Sequence, residues 1–414
     1  MKPVCFVLPD GQGLGGVTVW AMDMARMTAE RGHAASLLEH ANPSVFWGEE
    51  IADSVVHIEC AGKHPAWANI DEVAAYAHAY RQALPATFVP NYTEGSYAAC
   101  ARASQEDPTQ MRVLGYVHTD QPYYYELVEH YDPLIHLFVA VSEEVATTLA
   151  ARLPHRAGDI RIRPYGVAAP SRLERSWSGA SSPLQLAFAG RLVREQKRIT
   201  DLIPLVEQLH AQSVDFRLRI AGEGCDEQEL RAGLEALGPR ASAKVEFVGR
   251  VSQDQMQQIW RTTDVAILVS AYEGTSIAML ESMAHGCVPV VTRVSGTSKA
   301  IQNGRNGFVV GIGDMRSMAR RIQFLAESRQ KLEAMGRDAH QGVLQHHSIS
   351  RYVDWFEALV EESWQRAPRG WPSDRPLMPR VRCGSPKPVP ISPWGRCKRF
   401  YGKVRRRLSL EPGP

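Results

Sequence analysis

The stretch from Val265 to Val291 constrains the fold more than any other part of the sequence, because its pattern changes twice over a short distance. Apolar runs at Val265–Val269 and Val288–Val291 enclose a loop at Glu273 and a segment that begins near Ser276. Short apolar runs bounded by turn residues are typical of buried strands. The stretch therefore predicts a strand, a loop, a helix and a second strand, which is the repeating unit of an α/β fold.

The start of this expected helix, near Ser276, is a candidate anion site. A helix N-terminus presents free backbone N–H groups and the positive end of the helix dipole, and both favour a phosphate. Glu273 precedes the helix and Glu281 lies on it, so two carboxylates could accept hydrogen bonds from sugar or ribose hydroxyls. The pattern alone does not distinguish such a site from an ordinary α/β unit with two surface glutamates.

The same alternation runs through both halves of the chain and predicts two parallel, helix-flanked sheets. Strand patterns occur at Val4–Leu8, Ala35–Leu38, Phe88–Val89, Val113–Val117, Leu137–Val141, Leu184–Ala189, Phe216–Ala221 and Val245–Val248. Helical patterns between them occur at about 17–31, 73–83, 143–152, 200–211, 226–237 and 252–261. Asp226 with Glu229, and Ser252 with Gln255, predict capping boxes at two of these helix starts.

Composition shifts divide the chain into five segments. We predict a first Rossmann-like domain over 1–168, a linker rich in Ser, Pro and Gly over 169–183, and a second Rossmann-like domain over 184–347. A closing helix is expected over 348–366 and a basic, Pro-rich tail over 367–414. In two open sheets of this kind, ligands bind beyond the carboxyl ends of the strands, so a ligand-binding cleft is expected.

The bulk composition, with 44% hydrophobic and 22% charged residues in 414, is that of a soluble globular protein, and cytoplasmic residence is the simplest expectation. No run approaches the roughly 20 apolar residues of a membrane-spanning helix. The apolar run at Val4–Leu8 is too short for a signal peptide. The seven cysteines form no Cys-x-x-Cys pair, and no Asp-x-Asp occurs, so neither a disulfide framework nor a metal site is expected.

Three further residues at strand ends are candidates for chemistry. Arg191 follows the strand at Leu184–Ala189, and Lys197 lies six residues later, so together they could hold a diphosphate. His118 follows the strand at Val113–Val117 and could bond a substrate or share a proton. Solvated surface cations and a structural histidine remain the alternatives.

A glycine-rich loop near the start of the chain gives a competing signal. Gly11, Gly13 and Gly16 fit the G-x-G-x-x-G pattern, and Glu39 follows at about the separation expected of a dinucleotide-binding fingerprint. On that interpretation the protein is an NAD-linked oxidoreductase. The pattern is weak by itself, because a tight turn needs glycine whatever the ligand.

Several motifs together resemble the retaining glycosyltransferases of family four, whose fold is GT-B. The similarity is most specific over 185–310, where Phe188–Arg198, Ala221–Gly224 and Glu273–Glu281 occur in order. It is looser over 1–170, where Gly15-Gly16 and His118 match the family's glycine loop and active-site histidine. Tyr165 stands where the family usually has an asparagine before Gly-Val, so no role is assigned to it.

The resemblance implies roles for individual residues. Arg191 and Lys197 would bind the donor diphosphate, Glu281 the ribose, and the backbone near Arg250 and Val251 the base. Glu273 and the backbone of Gly274, Thr275, Ser276 and Ile277 would hold the transferred sugar and the distal phosphate. His118 would contact the sugar near the reacting carbon, Gly15 and Gly16 would admit the acceptor and phosphate, and Gly222 belongs to the donor-binding set.

The implied function is a retaining, metal-independent hexosyltransferase. It would move a sugar from a nucleotide-sugar donor to a glycan or lipid-linked acceptor, in cell-surface polysaccharide or glycolipid synthesis, with no cofactor beyond the donor substrate. The donor base and sugar and the acceptor stay open. The alternatives are the NAD-linked oxidoreductase and a non-catalytic protein that binds nucleotide sugars.

The C-terminal tail carries most of the chain's excess positive charge. Residues 366–414 contain 13 Lys and Arg against 2 Asp and Glu, although the whole chain has a net charge of +2. Apolar residues recur at helical spacing among the cations, at Trp394, Cys397, Tyr401, Val404 and Leu408. This pattern predicts an amphipathic helix over 394–410 that could lie on an anionic membrane surface. A disordered basic tail and a packing helix remain alternatives, and nucleic acid is not an expected partner because no recognition module accompanies the charge.

Overall fold

The computed structural model describes residues 1–9, 15–40, 52–60, 65 and 68–379. The strands are β1 (Val4–Leu8), β2 (Ala35–His40), β3 (Val56–Cys60), β4 (Ala86–Val89), β5 (Met111–Val117), β6 (Leu137–Ala140), β7 (Ile160–Ile162), β8 (Leu184–Ala189), β9 (Phe216–Ala221), β10 (Val245–Gly249), β11 (Val265–Leu268), β12 (Val288–Thr292) and β13 (Phe308–Val310). The helices are α1 (Gly16–Glu30), α2 (Ile70–Arg81), α3 (Glu94–Ser104), α4 (Pro122–His130), α5 (Glu143–Arg152), α6 (Arg194–Lys197), α7 (Leu202–Ala211), α8 (Glu227–Ala236), α9 (Pro239–Ser242), α10 (Gln253–Arg261), α11 (Ile277–Ala284), α12 (Thr297–Ala300), α13 (Met315–Glu327), α14 (Arg329–His346) and α15 (Ile349–Gln365).

These strands form two sheets with the same topology. The first sheet has the order β3-β2-β1-β4-β5-β6-β7, and the second has the order β10-β9-β8-β11-β12-β13. The pairs of β1 with β2 and β4, and of β8 with β9 and β11, are parallel. In each sheet the earliest strand lies inside and the chain winds outward in both directions, which is the doubly wound Rossmann arrangement. The prediction of two Rossmann-like α/β domains is confirmed.

The central strands are buried on both faces, and for this reason they read as continuous apolar runs in the sequence. Every residue of β1 and β11 is buried, and Leu186 of β8 pairs with Leu218 of β9 inside the second core. Helices α7, α8, α13 and α14 contribute further apolar side chains to that core. The sheet is therefore fixed on both sides, and its strand ends are stable positions from which loops can extend.

The chain divides into two compact units. One contains the described residues of Met1–Val117, Gln121–Val139 and Ala358–Pro414, and the other contains His118–Asp120 and Ala140–Glu357. His118 thus belongs to the second unit although it directly follows β5. The predicted domain limits at 168 and 184 differ from this division and stay a prediction.

Helix starts agree with one predicted capping box and contradict the other. Ser252 and Gln255 form the reciprocal capping box of α10. Asp226 precedes α8 but makes no side-chain cap bond. Its carboxylate instead accepts a hydrogen bond from the backbone N–H of Arg194 at 2.8 Å. The predicted capping box at Asp226 is therefore wrong, because a tertiary contact uses the same oxygen atoms.

The segment predicted as the linker is anchored within the second unit. Arg175 and Asp264 form an ion pair at 3.4 Å, and each side chain is only 2% exposed. Arg175 also donates to the carbonyl of His285 at 3.0 Å, and the Trp177 indole donates to the carbonyl of Gly286 at 3.1 Å. These two side chains hold the segment against the end of α11.

The chain after α15 is anchored within the first unit. Residues 371–377, here called the strap, follow the helix. The backbone N–H of Trp371 donates to Ser104 at 3.0 Å, and Tyr131 donates its hydroxyl to the carbonyl of Leu377 at 2.7 Å. Trp371 is 4% exposed. The residues predicted to form the amphipathic tail, 394–410, lie outside the described part of the chain.

No described helix is both long enough and apolar enough to cross a bilayer.

Candidate functional site

The six-stranded sheet has its topological switch point between β8 and β11. The chain leaves β8 toward β9 on one side and leaves β11 toward β12 on the other, so the loops after these two strands diverge and leave a crevice. The loop after β8 carries Arg191 and leads to Lys197. The loop after β11 carries Glu273 and leads into α11 at Ser276. The fold thus brings four predicted site residues to the position where open α/β sheets bind ligands.

Lys197 and Glu273 form the central contact of this site. The ammonium Nζ of Lys197 lies 2.6 Å from Oε1 of Glu273, and the two side chains are 13% and 9% exposed. The same carboxylate oxygen accepts from the hydroxyl of Ser270 at 2.7 Å. A charge-assisted contact of this kind is short and well oriented when it is shielded from water. The Glu273 carboxylate is therefore held in one place by partners from both loops.

Gln196 connects this carboxylate to Arg191, and the sequence did not single it out. Its Oε1 accepts from Nη2 of Arg191 at 2.6 Å, and its Nε2 donates to Oε2 of Glu273 at 3.5 Å. Its backbone carbonyl accepts from the N–H of Ala271 at 2.8 Å, which ties the two loops together. Its position directly before Lys197 was visible in the sequence. The direction of its side chain was not visible, because α6 is a single turn and so has no helical periodicity that would show which way Gln196 points.

Two loops approach each other closely enough to require glycine at Gly222. Its φ is +130°, and a Cβ there would lie 2.0 Å from the carbonyl oxygen of Gly190. The N–H of Gly190 donates to Ala221, and the N–H of Gly222 donates to Gly249. Only a residue without a side chain fits this contact. Close packing thus explains why a glycine occupies position 222, while the role of Gly222 in donor binding stays a prediction.

The loop at the start of α11 is held by two short segments of the same compact unit. Gly274 pairs with Thr119 in an antiparallel bridge, and Asp120 donates its N–H to the carbonyl of Glu273 at 3.1 Å. Thr275 donates its hydroxyl to the carbonyl of Val141 at 2.6 Å. Ser276 caps the helix by accepting from the N–H of Met279. The predicted helix start at Ser276 is confirmed.

His118 lies beside this loop as a buried, neutral side chain. A Cβ on Gly274 would lie 2.2 Å from the carbonyl oxygen of His118, so the two backbones are in direct contact. The imidazole is 4% exposed. Burial lowers the pKa of His118 to about 3, because the charged imidazolium loses its hydration. The ring is therefore uncharged at neutral pH, and its Nδ1 is hydrogen-bonded to the hydroxyl of Tyr165.

The residues predicted to meet the base of the nucleotide directly follow β10 of the second sheet. Arg250 follows β10 and forms an ion pair with Glu223 at 3.2 Å. Val251 packs against a cluster that includes Ala187 and Ala221.

The remaining predicted site residues lie on two helices. Ile277 is the first residue of α11, and Glu281 lies one turn later with a partly exposed side chain. Gly15 and Gly16 lie in the first unit, where Gly15 is the N-cap of α1 and Gly16 is its first residue.

The residues of the NAD interpretation are only partly described. Gly11 and Gly13 lie outside the described residues. Glu39 is in β2, and its Oε2 lies 2.9 Å from Nε2 of His57 on β3. Within the described residues no group of three or more His, Cys, Asp or Glu side chains could hold a metal ion.

Sequence comparison relates the second half of the chain to sugar transferases. Residues 183–328 match the family model described as Glycosyl transferases group 1. The chain is 28% identical over 206 residues to the putative glycosyltransferase EpsD of Bacillus subtilis, which covers 49% of this chain and 52% of EpsD. It is 30% identical over 194 residues to the putative colanic acid biosynthesis glycosyltransferase WcaL of Salmonella typhimurium, covering 45% of this chain and 47% of WcaL. The chain thus matches about half the length of these relatives.

Structural comparison extends over most of the chain. The sucrose-phosphate synthase of Thermosynechococcus elongatus superposes with a TM-score of 0.71 at 14% identity, covering 88% of this chain and 100% of that structure. Anabaena HepE in complex with UDP-glucose superposes with a TM-score of 0.70 at 16% identity, covering 87% and 100%. The two Rossmann-like domains therefore have the GT-B fold of glycosyltransferases, as expected.

Proposed function

We propose that the protein is a retaining glycosyltransferase of family four that uses a nucleotide-sugar donor. The observation that carries the proposal is the Lys197–Glu273 contact at 2.6 Å, bridged to Arg191 through Gln196 at the switch point of the second sheet. A partly buried cluster with two cations and one buried carboxylate next to a helix start suits a diphosphate joined to a hydroxyl-rich sugar. The match of residues 183–328 to group 1 glycosyl transferases supports the same conclusion.

The cluster can bind both parts of such a donor at once. The Lys197 ammonium has three N–H donors, so it can keep its bond to Glu273 and also donate to a phosphate oxygen. The Glu273 carboxylate offers about four acceptor positions, and its contacts to Lys197, Ser270 and Gln196 leave room for a sugar hydroxyl. Arg191 adds a planar set of donors for a second phosphate oxygen.

In the proposed reaction the bond between the sugar C1 and the phosphate oxygen breaks, and a bond from C1 to an acceptor oxygen forms on the same face. The acceptor's proton passes to the departing phosphate. Arg191, Lys197 and the N-terminal end of α11 stabilise the negative charge that develops on the nucleoside diphosphate. No metal ion or other cofactor is part of the proposal. Glu281 would bond the ribose, and Arg250 and Val251 would adjoin the base.

The names of the matched proteins suggest the substrate class. HepE was crystallised with UDP-glucose, and WcaL is described by colanic acid biosynthesis. We therefore propose a UDP-hexose as the first donor to test. A glycan or a lipid-linked glycan of a cell-surface polysaccharide or glycolipid is the proposed acceptor.

The experiment has two stages that share one protein preparation. The melting temperature of the protein is first measured with UDP-, GDP- and ADP-sugars and with NAD. A ligand that binds only the folded state raises the apparent stability of the protein, so the shift identifies the donor. Release of nucleoside diphosphate is then followed with the stabilising donor and candidate glycan acceptors. Acceptor-dependent release supports the transferase. Stabilisation by NAD but by no nucleotide sugar would favour the oxidoreductase, and binding without turnover would favour a non-catalytic binder.

We propose further that the protein is cytoplasmic and attaches to the inner face of a membrane through residues 394–410. The apolar residues Trp394, Tyr401 and Leu408 recur at helical spacing among the cations of this segment, and each cation near anionic headgroups adds about 1 kcal/mol. Deletion of residues 386–414 should release the protein from anionic lipid vesicles, while transfer to a soluble acceptor continues. Unchanged vesicle binding after the deletion would contradict the attachment.

A further inference from the structure

Tyr165 pairs with His118 in the interior of the second compact unit. Its hydroxyl lies 2.5 Å from Nδ1 of His118, and the planes of the two rings differ by only 5°. Tyr165 is 2% exposed and His118 4% exposed. Tyr165 occupies the position to which the sequence resemblance assigned no role. The structure thus connects it directly to the histidine that lies beside the Glu273 loop.

The backbone around Tyr165 is fixed by the chain that leads into α15. The Tyr165 carbonyl accepts a hydrogen bond from Nδ1 of His347 at 3.3 Å, and the N–H of Val167 donates to the His347 carbonyl at 2.8 Å. The N–H of Ile349 returns a bond to Val167 at 3.1 Å. A Cβ at Gly166 would lie 2.6 Å from Tyr352, so the backbone packs tightly against the helix. The phenol ring therefore has little freedom to move away from His118.

The chemistry of the pair selects one protonation state. In a neutral imidazole one ring nitrogen carries the proton and the other is an acceptor. A phenol hydroxyl is a good donor and a weak acceptor, whereas an unprotonated imidazole nitrogen is a strong acceptor. The favoured arrangement therefore has the Tyr165 hydroxyl donating to Nδ1, which leaves the proton of the imidazole on Nε2.

We propose that Tyr165 is a positioning residue that holds His118 as the Nε2–H tautomer, so that His118 acts as a hydrogen-bond donor to an oxygen of the bound sugar. This inference rests on the proposed function for the identity of the ligand. It differs from the expectation that His118 shares a proton with the substrate, because a neutral ring whose acceptor nitrogen is already hydrogen-bonded has no free position for another proton. The low pKa of His118 agrees with this assignment.

The first test needs no substrate. In protein with ¹⁵N-labelled histidine, long-range ¹H–¹⁵N spectra at neutral pH distinguish the two tautomers and the imidazolium by the shifts of both ring nitrogens. A His118→Gln variant identifies the signals of His118 among those of the 14 histidines. We expect the neutral Nε2–H form in the unaltered protein. A protonated ring, or a proton on Nδ1, would overturn the proposal even if sugar transfer is observed.

The second test removes the hydroxyl. Tyr165→Phe should abolish the preference for the Nε2–H form and lower kcat about tenfold, with the KM for the donor within about twofold. The matched control is Tyr80→Phe, since Tyr80 also loses a buried hydrogen bond to a histidine, His40 at 2.9 Å, in the other compact unit. The control should leave the His118 signals and kcat unchanged.

The two ways of failing can be told apart. Unchanged His118 signals in folded Tyr165→Phe would refute the positioning role, whatever the activity. If the tautomer changes as expected but no nucleotide sugar is turned over by the unaltered protein, the positioning role stands and the proposed function fails.

Discussion

Glu273 is the residue around which the other side chains of the candidate site are arranged. Lys197, Ser270 and Gln196 all donate to its carboxylate, and they come from the loops after two adjacent strands. A charge with so little exposure is tolerated only because it is paired and hydrogen-bonded. These contacts of Glu273 thus serve two purposes. They hold the two loops together, and they present the polar groups that a donor would meet.

Replacing Lys197 separates its proposed chemical role from its structural one. Lys197→Ala should stay folded and lower turnover by roughly 10²–10³, the loss typical of one donor that stabilises a developing anion. The measurement is nucleoside diphosphate release at saturating donor, with the folded state checked by urea unfolding.

Arg194→Ala is the matched control for that prediction. Arg194 lies on the same helical turn and pairs with Glu229 at 3.1 Å, but the two side chains are 61% and 51% exposed. An exposed pair of this kind contributes at most about 1 kcal/mol, so the variant should keep its stability and turnover. Equal turnover of the Lys197 and Arg194 variants would argue against a diphosphate site at Lys197.

The positions of the candidate site residues at strand ends and at a helix start could be predicted from the sequence, but their hydrogen-bond partners could not. Arg191, Lys197, Glu273 and Ser276 were recognisable because strand-end charges and helix starts have clear patterns. The bridge through Gln196 depends on side-chain directions in a single helical turn. The contact of Tyr165 with His118 joins positions 47 residues apart, and no local pattern marks it.

Helix α11 is held at both ends, which matters because its start borders the candidate site. Ser276 caps the first turn. At the other end, the carbonyls of Ala284, His285 and Gly286 accept side-chain hydrogen bonds from residues outside the helix, which are His340, Arg175 and Trp177. Donors at a helix C-terminus satisfy carbonyls that have no partner in the helix and complement its dipole. The helix is therefore a rigid support for the loop that precedes it.

The buried Arg175–Asp264 ion pair should stabilise the end of α11, because Arg175 also donates to the carbonyl of His285 there. Arg175→Ala would leave the Asp264 carboxylate buried without its cation, although the N–H groups of Ser178 and Gln185 would still donate to it. Removing one partner of a buried pair typically costs 3–5 kcal/mol. We expect a loss of about that size in the free energy of unfolding, measured by urea denaturation.

Arg172→Ala provides the comparison within the same segment. Arg172 is exposed, and surface substitutions usually change stability by less than about 0.5 kcal/mol. If the two variants unfold at the same urea concentration, the buried pair does not stabilise the second unit.

Most strands were predicted well, and among the described edge strands β10 was predicted, whereas β3, β7 and β13 were missed. β1 and β8 have the predicted bounds because they are mostly buried apolar runs. β9 also has its predicted bounds, because its apolar residues alternate with Arg217 and Arg219 as in a half-buried strand. β3 alternates exposed and buried residues and lies at the edge of its sheet, and β7 has only three residues. Neither offers a continuous apolar run like those of β1, β5 and β11.

On the scale of the whole molecule, the strap changes the expected character of the C-terminal region. The Pro-rich composition of residues 368–393 predicts a tether between the body and the basic tail. The strap instead packs on the first unit, where Trp371 lies 5.5 Å from the ring of His130 and 5.3 Å from that of Tyr131, measured between ring centroids. Arg375 stacks over Trp371 at 5.3 Å. A tether can therefore begin only after the strap.

Two truncations test this arrangement. A chain ending at residue 379 should unfold at the same urea concentration as the full chain. A chain ending at residue 365 loses the buried Trp371 and should be less stable by about 3–5 kcal/mol, as when a buried aromatic side chain is removed. Equal stability of both truncated chains would show that the strap does not support the first unit.

The division into two sheets could be predicted from the sequence, because each sheet repeats the same order of strands and helices. The assignment of each segment to one of the two compact units could not be predicted. His118–Asp120 belongs with the second unit through its contacts to Glu273 and Gly274, and residues from Ala358 onward belong with the first. Such exchanges depend on contacts between residues far apart in the chain, which local periodicity does not encode.

The return of the last described residues to the first unit has a consequence for biosynthesis. A ribosome delivers nearly all of the second unit in one continuous stretch, Ala140–Glu357, before it releases the segment that completes the first. Domains generally fold as units during synthesis, with the N-terminal one first. In this chain we expect the second unit to complete its contacts first, because Arg112 of β5 donates to the carbonyls of Ser363 and Arg366, which are synthesised only after Ala140–Glu357.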